Sequence, residues 1–107
     1  MNSKVNTGVN TGVKLVDVVK SKTKGKKWDA HFLVDGKEHV THFGATGYTD
    51  YTLGATDDQH ARYLQRHHKD LASHDPTSAG YLSYYILWGT SRSMHANIAE
   101  FKKRFRL

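Results

Sequence analysis

The Asp35-Gly36 dipeptide constrains the folding of this chain more than any other feature. It separates residues 28–34 (WDAHFLV) from residues 37–43 (KEHVTHF), two runs in which β-branched and aromatic residues recur. An Asp-Gly pair in that place accepts the positive φ angles of a two-residue hairpin turn, whose twist matches the strands it joins. That turn leaves one register: Val34 faces Lys37, Phe32 faces His39, Ala30 faces Thr41 and Trp28 faces Phe43. Side chains alternate between the faces of a strand, so Trp28, Phe32 and Phe43 share one face, which is assigned to the core. The other face sets Asp29 against His42 and His31 against Val40, polar cross-strand pairs of the kind a solvated face carries. Upstream, residues 13–19 (VKLVDVV) read as a further strand. The connection KSKTKGKK crowds Lys20, Lys22, Lys24, Lys26 and Lys27 around Gly25, and mutual repulsion favours an exposed loop.

Downstream the period changes from two to that of a helix. Thr56 and Gln59 form a capping-box pattern, and Asp57 and Asp58 suit the positive pole of a helix dipole. The spacing predicts a helix to about Ser73, with Ala61, Leu64, His68, Leu71 and Ala72 inward and a cationic stripe of Arg62, Arg66 and Lys69 beside them. Asp75-Pro76 breaks it. Thr77 or Ser78 caps a second helix whose Tyr81, Leu82, Tyr85, Ile86 and Trp88 are mostly core, and Gly89 stops it. A third helix starts near Ser91, with Met94, Ile98, Phe101 and Phe105 on one face. Its Lys102, Lys103, Arg104 and Arg106 meet the negative pole of the dipole. The expected architecture is α+β: a small three-stranded antiparallel meander followed by three helices packed on one face, a single domain over residues 13–107. Residues 1–12 (MNSKVNTGVNTG) hold too little apolar surface to fold alone. They are expected to form an extended polar tail, either disordered or laid along a neighbouring subunit.

Of 107 residues 37% are hydrophobic, so the expected core is thin, with much surface left to solvent or to a partner. Cysteine is absent, which removes disulfides and thiolate zinc sites. No apolar run approaches the roughly 18 residues of a membrane span, and no apolar signal core is expected at the N-terminus. Sixteen Lys and Arg against ten acidic residues give a net charge of +6, which favours polyanionic partners.

Two groups of residues stand out as candidates for binding. The first is the basic surface already described: Lys20, Lys22, Lys24, Lys26 and Lys27; Arg62, Arg66 and Lys69; Lys102, Lys103 and Arg104. The second is residues 44–54 (GATGYTDYTLG), where Gly44 and Gly47 permit unusual backbone angles and Tyr48, Asp50 and Tyr51 are presented by a shaped loop. Tyr48, Tyr51 and Tyr84 are aromatics on which bases could stack. Reactive centres are harder to find. His60, His67 and His74 recur every seven residues, but seven residues of helix rise about 10.5 Å, too far for one helix to bring three imidazoles to a single ion. There is no nucleophile elbow, and the glycine loop lacks the GK[ST] ending of a phosphate-binding loop. The chain is therefore expected to be no enzyme, with no metal or other cofactor and no small-molecule substrate.

The segments HFGATGYTDYT, RYLQRHHKD and TSAGYLSYYILWG together resemble a family of small uncharacterised basic proteins encoded by large (nucleocytoplasmic) double-stranded DNA viruses. The resemblance covers residues 26–105 and rests on His42, Phe43, Gly44, Tyr48, Asp50, Tyr51 and Thr52, then Arg62, Tyr63, Arg66 and His67, then Ala79, Gly80, Tyr81, Leu87 and Trp88. Ser78 interrupts the family's Thr-Ala dipeptide, and Gly89-Thr90 stands where a longer polar residue and a basic one are usual. The resemblance implies a viral setting. With it, the expected function is a non-catalytic virion structural protein: a minor capsid or cement component contacting neighbouring subunits through its tail and basic loops. The alternative is a salt-dependent nucleic-acid-binding protein for genome packaging or viral gene expression. Either implies a place in the virion, and in host cytoplasm or nucleus during assembly.

Overall fold

The structure, a computed structural model, describes residues 12–107, so the expected tail lies, but for Gly12, outside the described residues. Three strands form an antiparallel meander in the order β1 (Val13–Lys20), β2 (Lys26–Val34) and β3 (Lys37–Ala45). Asp35 and Gly36 adopt φ of 52° and 81°, the pair of positive angles that a two-residue hairpin turn requires. The register is the expected one, with Trp28 opposite Phe43, Asp29 opposite His42, Ala30 opposite Thr41 and Phe32 opposite His39. On the other edge Leu15 pairs with Phe32 and Asp17 with His31, which leaves Val16 as the extra residue of a β-bulge. Without that extra residue the alternation would separate Leu15 from Val18; with it both meet the core side of β2, at Phe32 and Ala30.

The lysine-rich connection is shorter than expected. β1 runs on through Lys20 and β2 begins at Lys26, so Lys20, Lys26 and Lys27 are strand residues and the turn is residues 21–25. Ser21 N–H donates to the Lys27 carbonyl and Thr46 N–H to the Gly25 carbonyl, which ties this turn to the chain leaving β3.

Helix α1 (Asp57–His67) has its capping box complete: Gln59 N–H donates to Thr56 Oγ1 and Thr56 N–H to Gln59 Oε1. The expected helix to Ser73 is instead α-helical to His67 and tightens into a 3₁₀ segment from His68 to Ser73, where His74 in the left-handed region ends it. Its inward face is also rotated from the expected one. Ala61, His68 and Ala72 are exposed, while His60, Tyr63, Leu64 and His67 are half-buried. The reason is physical: α1 contributes no fully buried residue, and its contacts are flat rings, which an apolar periodicity does not weigh.

Helix α2 (Ala79–Leu82) is capped by Ser78 and widens into a π turn over Ser83–Leu87, closed by a bond from Trp88 N–H to the Ser83 carbonyl. Helix α3 (Met94–Phe105) starts after Ser93, whose hydroxyl accepts from Ala96 N–H. The core lies where α2 meets the sheet and α3: Leu82, Ile86 and Leu87 are buried against Phe32 and Phe43 on one side and Phe101 on the other. Each such side chain removed from water contributes roughly 1.5–3 kcal/mol. The fold is thus α+β, three strands followed by three helices. Among the described residues no helix is long and apolar enough to cross a membrane.

Asn97 locks the turn between α2 and α3. Its amide donates to the carbonyls of Ile86 and Ser91, and its oxygen accepts from Ser91 N–H. A Cβ on Gly89 would stand 2.4 Å from the Tyr85 carbonyl oxygen and 2.6 Å from Asn97 Cγ. Gly89 is therefore more than a helix stop; it admits the asparagine.

Candidate functional site

The glycine-rich loop is organised around one carboxylate. Asp50 is 1% exposed, and its Oδ1 accepts from both the backbone N–H and the hydroxyl of Thr52, while Oδ2 accepts from Lys27 Nζ at 2.8 Å. Its carbonyl takes the N–H groups of Leu53 and Ala55. The loop thereby gains a fixed shape from a single residue that caps a short 3₁₀ turn, Tyr51–Leu53. A buried carboxylate is tolerated only when paired and hydrogen-bonded, and Lys27 supplies the pair. Lys27 is accordingly no member of an exposed basic loop: its side chain is 13% exposed and turned to Asp50. Gly44, with φ 81°, permits this approach, because a Cβ there would lie 3.1 Å from Lys27 Cβ and 3.0 Å from a Leu87 methyl.

A pile of flat groups holds the loop against the helices. The Arg92 guanidinium lies 4.1 Å from the centre of the Tyr51 ring, and His60 stacks on the same ring at 3.9 Å. Further along, Tyr63 lies between Trp88 and His67, each stacked at 4.2 Å. A His60 ring nitrogen lies 3.0 Å from the Trp88 carbonyl oxygen, and His67 Nδ1 lies 2.9 Å from Asp70 Oδ2. Burial, with the Asp70 carboxylate adding to it, pushes the Tyr63 phenol up to about 12; a hydrogen bond with Ser83 and the nearby Arg66 cation act against the rise. Hydrogen bonding to the Asp57 carboxylate raises the Tyr51 phenol in the same sense.

Two clefts flank the loop. One, of about 460 Å³, lies toward α1 and α2, where Arg66, His67, Tyr63, Ser83 and Trp88 line it. The other, of about 580 Å³, lies toward the strand ends, lined by Lys20, Lys26, Trp28, Thr46 and Leu53. Lys27, Tyr48 and Thr49 belong to the walls of both. Tyr48 stands between them with 73% of its surface exposed.

The expected site residues are thus partly gathered and partly scattered. Gly44, Tyr48, Asp50, Lys20, Lys26, Lys27 and Arg66 come together around the two clefts, with Gly47 at the loop's turn next to Tyr48. Lys22, Lys24 and Lys69 are exposed outside them. Arg62 is exposed and paired with Asp58 at 2.7 Å, so the stripe on α1 supplies one cleft cation, Arg66, which has no ion pair among the described residues. Lys102 and Lys103 are exposed on α3, and Arg104 lies 5.1 Å over the Tyr85 ring. Tyr51 is no open platform, because His60 and Arg92 already occupy its ring, and Tyr84 is half-buried with its ring against Tyr85. Sequence reasoning missed Trp28, Thr49, Ser83 and Trp88 as cleft walls; nothing in their spacing marks them, since sheet, loop and α2 come together only in the fold. The histidines are dispersed, and among the described residues no three His, Asp or Glu side chains converge as a metal site would require.

A model described as a family of unknown function (DUF5754) matches residues 16–67, from the bulge of β1 to the last residue of α1. That span holds Lys20, Lys26, Lys27, Tyr48, Asp50 and Arg66 but none of α2. No curated protein and no solved structure matches the chain.

Proposed function

We propose that this chain is a non-catalytic component of a large DNA virus, carried in the particle, whose partner is nucleic acid. The observation behind the reading is the meeting of Lys20 and Lys26 from the sheet, Arg66 from α1 and the exposed ring of Tyr48 around one loop. Cations that track phosphates and an aromatic face that takes bases are the two ingredients of nucleic-acid binding without sequence preference. The resemblance to proteins of large DNA viruses supplies the setting, genome packaging or viral gene expression. Titration of labelled DNA at two salt concentrations tests the reading. Binding that weakens steeply as salt rises is expected; no binding even at low salt would overturn it.

The structural reading, a minor capsid or cement component, has a separate support. The sheet face away from the helices leaves Val16, Val19, Leu33 and Val40 between 36% and 55% exposed. Apolar side chains on an uncovered sheet face suit contact with another protein. The tail on which that reading also leaned lies outside the described residues. Cross-linking within purified particles would support it by joining this face to a capsid subunit, and the protein's absence from particles would exclude it.

A further inference from the structure

We infer, resting on the nucleic-acid reading, that the two clefts form one path for a single strand crossing the loop at Tyr48, with Lys27 receiving a phosphate at the crossing. The clefts share Lys27, Tyr48 and Thr49 as common walls, so an occupant can pass from one to the other without leaving the surface they line. Lys20 and Lys26 stand along one half and Arg66 along the other, so a polyanion meets a cation at each end of the path. Lys27 joins them differently. Asp50 takes one of its three N–H donors and fixes the ammonium, and the other two have no acceptor among the described residues.

The recess of Lys27 argues for the kind of strand. A duplex presents its phosphates on a stiff rod that does not fold into a narrow recess. An ammonium whose side chain is only 13% exposed is reached by a backbone that bends into a cleft. A flexible single strand does this, and its unpaired bases leave a face for Tyr48, whose ring is 73% exposed and makes no stacking contact among the described residues. Besides the cations, the clefts are lined by the hydroxyls of Ser21, Thr46, Thr49, Thr52 and Ser83, by the Tyr63 and His67 rings, and by Asp50, whose carboxylate is held by Lys27 and Thr52.

The test is fluorescence polarisation of the full chain with a labelled oligo-dT strand and with a duplex of equal length, at low salt. The strand is expected to bind about tenfold more tightly than the duplex. Tyr48→Ala, which removes an exposed ring, is expected to weaken strand binding about tenfold, the scale of one base–aromatic stack, and to leave duplex binding unchanged. Lys102→Gln with Lys103→Gln, on exposed α3 positions outside both clefts, is expected to change neither. Equal or tighter duplex binding, or an unaltered strand affinity in Tyr48→Ala, overturns this inference while the broader reading stands. If neither strand nor duplex binds, the broader reading falls and takes the inference with it. Circular dichroism melting of each variant separates a lost contact from a lost fold.

Discussion

Asp29 and His42 show how far one turn dipeptide determines chemistry at a distance. The Asp35-Gly36 register places them opposite each other on the outer face of the sheet, and there His42 Nδ1 lies 2.5 Å from Asp29 Oδ1. The hydrogen bond with His42, helped by one from Ser21, holds the Asp29 carboxyl below its ordinary value of 3.8. A carboxylate depressed by folding contributes stability above its unfolded pKa and loses it as pH falls through the lower, folded one. Asp29→Asn is therefore expected to be less stable than the parent chain near pH 7, with a smaller deficit near pH 2, as the carboxylate takes up its proton. Urea unfolding at the two pH values measures this; an equal deficit at both would mean that the pair contributes through shape and not charge. Gly89 teaches the opposite lesson at the same scale. Its glycine looked like punctuation in the sequence, whereas the need for it comes from Asn97, eight positions on and buried against it.

Among the elements, those shaped by local backbone rules were legible and those shaped by distant contacts were not. A two-residue turn has one register, a capping box has one reading, and both appear as expected at Asp35-Gly36 and at Thr56 with Gln59. The π turn over Ser83–Leu87, which carries the buried Ile86 and Leu87, has no signature in its residues. The rotation of α1 comes from distant contacts too: His60, Tyr63 and His67 turn inward to stack, whereas the spacing points to His68. The loop between β3 and α1 depends on the Lys27–Asp50 pair, which crosses from the sheet and could not be read from either segment alone. Lys27→Met would leave Asp50 a buried charge without its partner, a change that typically costs about 3–5 kcal/mol. Adding Asp50→Asn removes the charge while keeping an oxygen for Thr52, so the double variant is expected to be more stable than Lys27→Met alone. Thermal unfolding of the two single variants and the double one checks this. Additive losses would show that the pair is not coupled and that the loop has another anchor.

For the molecule as a whole, the charge of +6 said that a polyanion was a suitable partner but not where it would sit. The fold divides the basic residues. Arg62 is tied to Asp58, Arg104 lies over Tyr85, and Lys102 and Lys103 belong to α3, two residues beyond which Leu107 accepts from Leu15 N–H partway along β1. Lys20 and Lys26 lie at the other end of the β1–β2 ladder, and they with Lys27 and Arg66 are the cations that line the clefts. The division has a measurable consequence. Binding of a single strand releases counterions in proportion to the phosphates neutralised, with a slope of log affinity against log salt of about −0.7 for each. A strand held by about four cleft cations should give a slope near −3, whereas a strand spread over every exposed basic cluster would engage many more and give a much steeper one. Measured by fluorescence polarisation across a salt series, Arg66→Gln is expected to flatten the slope by about 0.7, and Lys102→Gln with Lys103→Gln to leave it as it was. A steeper slope that relaxes on substituting the α3 lysines would place the strand on the diffuse basic surface and leave the clefts for another occupant.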